Sequence, residues 1–219
     1  MNLGQLRART RMIASAQSEV AIPGTYIDDL LNESHADVCG VRDWPWLRSE
    51  EAAVSVGDTV TLPTVLRGIS RVEVDGVGVR LEPVTVAWID EAREYPNATE
   101  HTSYARVGDG ELRLWPPVGG NVTVNVTGLL AAVPMTSDND EPMFEASFHH
   151  ILAYAAAARL LIEHDDQSRA EGFGAEVAGL LQRMQAQYIQ LEDETIFQMG
   201  GGHRQSSTHA PVHRRGVWR

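Results

Sequence analysis

The chain contains no lysine; all 18 of its basic residues are arginine. Arginine suits buried and interfacial ion pairs, although a GC-rich gene gives the same bias and is the simpler explanation. Cysteine is nearly absent too. The single Cys39 excludes an internal disulfide and a cysteine-rich zinc site. No apolar run approaches the roughly 20 residues needed to span a bilayer, and no secretory pattern opens the sequence. The N-x-S/T matches at Asn32, Asn97, Asn121 and Asn125 therefore carry little weight, and an intracellular assembly site is expected, with no membrane partner.

Catalytic signatures are also missing. There is no phosphate-binding G-x-x-x-x-G-K-S/T loop, G-x-G-x-x-G turn, G-x-S-x-G elbow or H-E-x-x-H helix. His149 and His150 are adjacent, so on a helix they diverge rather than share a ligand. His164-Asp165-Asp166 reads as a polar turn between helices. His203, His209 and His213 lie in a segment with nothing to fix their geometry. Cys39 falls on an apolar helix face, where a structural role is favoured over a nucleophile. No carboxylate pair identifies a general acid and base. The expectation is a protein that is not an enzyme, with no catalytic residue, no metal and no cofactor.

What is present is charge, unevenly placed. The formal net charge is −12, and residues 1–196 hold all 30 acidic residues but 14 of the 18 arginines, a balance of −16. The last 23 residues carry four arginines, three histidines and no acid. Such a segment buries too little apolar surface to order itself alone. It nevertheless ends in Arg214, Arg215, Gly216, Val217, Trp218 and Arg219. Tryptophan and arginine dominate interface hot spots. Residues 197–219 are therefore read as an extended basic arm that orders on a partner, with Arg204, Arg214, Arg215, Val217, Trp218 and Arg219 as its binding residues. A frayed terminus without function is the plainer alternative. The acidic body argues against wrapping nucleic acid and suits a surface that DNA slides past.

The periodicities divide the rest. Leu3, Leu6, Met12 and Ile13 mark a short helix, broken at Pro23-Gly24, with Thr25 placed to cap the next. Tyr26, Ile27, Leu30, Leu31, His35, Val38 and Cys39 form one face of that second helix. From about 51 to 133 the period becomes two. Valine and leucine alternate around Gly57-Asp58, Asp75-Gly76, Asp109-Gly110 and Gly119-Gly120, as in antiparallel hairpins. A short helix is expected over 87–95. Helix returns after Pro142, which suits a helix start. Phe148, Ile151, Leu152, Ala155, Leu160 and Leu161 build one apolar face. Phe173, Val177, Leu180, Leu181, Met184, Tyr188 and Leu191 build another, over about 167–194.

These elements predict an α+β protein: mainly a helical bundle, with two N-terminal helices and two long C-terminal ones, a small inserted antiparallel β domain and the C-terminal arm. The expected boundaries are 1–48 for the first helices, 49–135 for the β insertion, 136–196 for the helical hairpin and 197–219 for the arm. At the passage into the sheet stands Arg42-Asp43-Trp44-Pro45-Trp46-Leu47-Arg48. Two indoles around a proline make a rigid corner. Trp44 and Trp46 pack the sheet onto the bundle or form an interface corner; packing is the favoured reading, as it is for Trp115-Pro116-Pro117.

The order of motifs resembles a known family. An L-G-Q-L-R-A-R helix is followed by I-D-D-L-L-N-E-S, R-D-W-P-W-L, E-L-R-L-W-P-P in the β-rich part, D-E-P-x-F and A-A-A-A-R-L-L. Over residues 1 to about 192 this is similar to head–tail adaptor proteins of tailed bacteriophages, also called connector or head-completion proteins. The resemblance implies a structural virion protein in the neck, assembled in the host cytoplasm. It implies a ring of copies of itself, dodecameric in the family, docked under the portal protein. That ring extends the DNA channel toward the next neck or tail protein, and DNA passes without sequence-specific binding. Another neck component, such as a stopper or tail-completion protein, is the alternative; stoppers are usually smaller and mainly β. An enzyme or metal-dependent hydrolase using scattered acids and histidines, and a DNA-binding protein working through the arm, are more distant readings.

Overall fold

The computed structural model describes residues 1–14, 22–76, 78–92, 102–116 and 121–199, with side chains as far as residue 189. Its α-helices are α1 (Leu3–Ala14), α2 (Gly24–Gly40), α3 (Val86–Ala92), α4 (His150–Glu163) and α5 (Gln167–Met199). Its strands are β1 (Arg48–Val56), β2 (Thr59–Thr61), β3 (Leu66–Val74), β4 (Val79–Arg80), β5 (Glu82–Pro83), β6 (Ser103–Arg106), β7 (Glu111–Trp115) and β8 (Thr123–Leu130).

Four helices share one core. Leu3 and Leu6 of α1, Ile27 and Leu31 of α2, Ile151 and Leu152 of α4, and Met184 of α5 are almost wholly removed from water. Each such side chain contributes roughly 1.5–3 kcal/mol. Ala153, Ala156 and Ala157 are buried on α4; their small size lets α1 and α5 approach closely. The α4–α5 connection is the polar turn expected at 164–166. Asp165 takes φ 58 there, the left-handed geometry that commonly ends a helix. Arg169 Nη2 then donates to the Ile13 carbonyl at 2.9 Å, pinning the start of α5 to the end of α1. At 1.5 Å per residue, α5 is about 50 Å long.

The β part departs from expectation. It is one eight-stranded sheet in the order β4-β3-β8-β1-β2-β7-β6-β5, not a small insertion into a mainly helical bundle. It is also mixed, because β5 pairs with β6 in parallel. The two edge strands are successive pieces of one run of chain. Leu81 N–H donates to Val72 O of β3 at 2.8 Å, and Val84 N–H donates to Tyr104 O of β6 at 2.9 Å. Residues 79–84 therefore bridge both edges and bend the sheet nearly into a barrel. Closure removes the exposed edges that an open sheet would leave. The interior has its own core, with Val60, Leu66, Val72, Leu112, Leu114, Val124 and Val126 fully buried. The alternation of these residues is what the sequence showed; the count and the closure are not.

Smaller differences have local causes. α2 starts at Gly24 with Pro23 as its cap residue and no side-chain capping bond, so Thr25 does not cap it. No helix starts at Pro142. The Asp140 carboxylate accepts from the backbone N–H groups of Thr136 and Ser137 at 2.7 and 2.8 Å, which holds this stretch as a turn. A 3-10 turn over Ala146–Phe148 precedes α4. The hairpin expected at Gly119-Gly120 lies outside the described residues, as does the helix expected beyond Ala92.

Candidate functional site

The junction between the two bodies is built by the tryptophan corner. Proline biases the preceding residue toward extended backbone, and Trp44 is extended before the 3-10 turn Pro45–Leu47. That geometry stacks the two indoles, with ring centroids 4.5 Å apart and planes 19° from parallel. Trp44 is completely buried, and its Nε1–H donates to the Val38 carbonyl of α2 at 2.7 Å. Trp46 is half-buried. It packs on Tyr188 of α5 with centroids 4.6 Å apart and on Phe144 at 6.1 Å. The corner thus ties the start of β1 to α2, α5 and the stretch before α4. Burial gives Trp44 a packing role.

Arg67, at the start of β3, closes the same junction. It donates from Nη1 to Cys39 O at 2.8 Å, and from Nη2 to Asp43 Oδ1 at 2.8 Å and Arg42 O at 3.3 Å. Arg106 at the end of β6 donates to Leu66 O at 2.7 Å and Arg67 O at 3.1 Å. One guanidinium holds barrel to helix, and the other holds one side of the barrel seam to the other. Beside them opens a cleft of about 520 Å³, lined by residues including Val41, Asp43, Arg67, Ile69 and Leu129. β3 is bulged here, and its backbone crowds β8. A Cβ on Gly128 would stand 2.5 Å from Gly68 O and 2.9 Å from Leu66 Cδ1.

The histidines and the cysteine are structural in their surroundings. Burial, with a smaller contribution from nearby His149, holds the His35 pKa down at about 4. His149 Nε2 lies 2.7 Å from Phe144 O. Burial pushes the Cys39 thiol up to about 11, which suppresses the reactive thiolate. Among the described residues, no three His, Cys, Asp or Glu side chains stand close enough to hold a metal.

Two charged faces went unread in the sequence. The first is a basic seam between α1, α4 and α5. Arg9 lies over the Tyr154 ring, 5.7 Å from its centroid, and Tyr154 stacks on Phe173 at 5.8 Å. His150 stands among them. Its pKa is lowered, by burial first and then by the charges of Arg9 and Arg183. Arg9 Nε is buried with no acceptor. The legible signal was that α1 carries Arg7, Arg9 and Arg11 and no acid. The second face is an acidic stripe on α2. Asp29, Glu33 and Asp37 are exposed at spacings of four. Arg159 of α4 reaches Glu33 at 2.8 Å and also pairs with Asp37.

Of the residues expected to form a site, Arg204, Arg214, Arg215, Val217, Trp218 and Arg219 lie outside the described residues. Trp44 and Trp46 are brought together as described.

Two packed bodies, joined by a buried corner and a guanidinium clasp, with charged faces on the helical one, make a structural building block. The chain belongs to the SU10 adaptor protein family, a phage head–tail adaptor family whose model matches residues 1–208. None of the curated proteins matches it. Membership makes it a structural protein of the phage particle. No helix among the described residues is long and apolar enough to cross a membrane.

Proposed function

We propose that the chain forms the head-to-tail adaptor ring that docks under the portal and continues the DNA channel toward the tail. The observation that carries this reading is the family match over residues 1–208. The charge supports it. A body of −16 repels phosphate rather than binding it, as a DNA conduit requires, within the roughly 10 Å that salt leaves unscreened. The long α5 supports it as a stiff strut leading toward the basic arm. In this reading Arg204, Arg214, Arg215, Val217, Trp218 and Arg219 clamp the portal or a neighbouring copy, an acidic neighbour being the natural dock for them. The units 1–48 and 136–196 hold the subunit rigid, and 49–135 faces outward or toward the next neck protein.

The test is the mass of the purified protein, alone and mixed with its cognate portal. A monomer or small oligomer that becomes a stoichiometric ring on the portal is the expected result. Deleting residues 198–219 should leave a folded body that joins the portal poorly; normal joining by that truncation removes the arm from the account. The size of the β body favours one second reading, another neck component such as a stopper. Absence of portal association at any salt concentration, with capture of a tail protein instead, would select it.

A further inference from the structure

The basic seam and the acidic stripe stand on opposite sides of one helix. His150 and Arg159 are nine residues apart on α4. At 100° per residue they point about 180° from each other. His150 packs edge-on against Tyr154, over whose ring Arg9 lies, and the charge of Arg183 also reaches it, while Arg159 pairs with Glu33 and Asp37. The helical body therefore carries a positive face and a negative face back to back.

Each face has charge to spare. Arg183 is exposed and has no carboxylate partner among the described residues. Among the described residues the Arg9 guanidinium meets Tyr154, with Nη2 3.4 Å from the hydroxyl, and finds no acceptor for its Nε. A guanidinium without a carboxylate partner favours an anionic neighbour at its outer nitrogens. Two acids of the same region do not supply it. Glu145 is held by Gln187 at 2.9 Å, and Glu176 is two turns from Arg183 along α5, about 10 Å. On the other face, Glu33 and Asp37 share the single Arg159, and the exposed Asp29 has no ion-pair partner among the described residues. Tyr26 and Glu163 hydrogen-bond beside the stripe, adding a further negative charge.

We propose that the Arg9–His150–Arg183 seam receives the Asp29–Glu33–Asp37 stripe of a second copy of this chain, so that subunits associate head to tail. This rests on the reading of the chain as a self-assembling ring and names the faces that meet. In a chain of −12, copies repel unless a positive face is aimed at a negative one, and these faces provide the match. Tyr154 and Phe173 supply the aromatic surface against which the ion pairs are shielded from water. Two different faces make a heterologous contact, which closes into a ring when the rotation between copies allows. For a ring axis parallel to α4, the faces of a subunit stand about 60° apart in a trimer and about 150° apart in a twelve-membered ring. In that orientation, back-to-back faces fit a many-membered ring better than a trimer.

The experiment is charge reversal at two exposed positions, Arg183→Glu and Asp29→Arg. Self-association of each full-length variant is followed by sedimentation and native mass spectrometry, alone and on the cognate portal, at low and high salt. Each single variant should associate at least about tenfold more weakly. The doubly reversed chain should recover association, because the exchanged charges at positions 183 and 29 then attract each other across the contact. That recovery also rules out misfolding as the cause of the single defects. Wild-type association by R183E, or no recovery in the double variant, overturns the proposal while leaving the ring intact. If R183E assembles normally but loses salt-sensitive retention on DNA, the seam is a nucleic-acid contact and the proposal also fails. If the wild-type chain never forms an oligomer, with or without the portal, the ring reading falls first and takes this one with it.

Discussion

Arg67 and His35 show how single polar groups set the behaviour of this chain. Arg67 satisfies the carbonyls of Cys39, in the last turn of α2, and of Arg42, just beyond it, and the Asp43 carboxylate in the stretch between α2 and β1. Hydrogen bonds from a charged donor contribute about 1.5–3 kcal/mol. Arg67→Ala should therefore lower stability by about 2 kcal/mol, and Arg67→Lys should recover only part, since an ammonium cannot reproduce the fork. Urea unfolding measures both. His35 makes a different prediction. Its ring accepts from Met143 N–H at 3.3 Å, and burial keeps it neutral with a pKa near 4. The unfolded chain takes up the proton near pH 6.5. Stability is therefore highest above pH 6.5 and falls as pH drops toward 4, by about 2 kcal/mol between pH 7 and 5. The lowered His150 acts in the same direction. His35→Gln should remove most of that slope, and an unchanged slope in the variant would refute the assignment.

At the scale of elements, the close passage of β3 over β8 is the sensitive point. Gly128→Ala places a methyl group against Gly68 O and Leu66 Cδ1, and backbone cannot yield as a flexible side chain can. We expect a loss of about 1–3 kcal/mol, with faster hydrogen exchange along β3 and β8. Gly68→Ala meets nothing within 4 Å and should be far milder, within about 1 kcal/mol. The contrast between two neighbouring glycines explains what the sequence could show. Val72, Val74, Val124 and Val126 alternate, so the strands were legible, as were the apolar faces of α2, α4 and α5. Whether Val79 to Val84 would end one hairpin or bridge two sheet edges depends on Val72 and Tyr104, which are distant in sequence. Local pattern carries no such information, and the sheet was underrated for that reason. The charged faces were missed for a related reason. Arg9 and Arg183 both come near His150 only when α1 and α5 pack against α4. The family was legible because its motifs are contiguous.

The described part of the molecule has two main cores, with a small third cluster of Ile89, Ala105 and Trp115, and a narrow bond joins the main two. One contains the four long helical segments and both indoles, and the other fills the barrel. Leu130, at the end of β8, is packed against both, and Arg67 clasps the same place. A subunit that must hold a fixed angle within an assembly needs these bodies to move as one, and the burden falls on few residues. Calorimetry should show the intact chain unfolding in one cooperative transition, with equal calorimetric and van't Hoff enthalpies. The double variant Arg67→Ala with Leu130→Ala should separate it into two, because each core retains its own buried residues while their coupling is lost. The two sites adjoin, so their effects should not simply add. A single sharp transition in the double variant would mean that the stacked indoles and Tyr188 suffice to couple the bodies. In that case Trp46→Ala, rather than Arg67→Ala, would be the change that uncouples them.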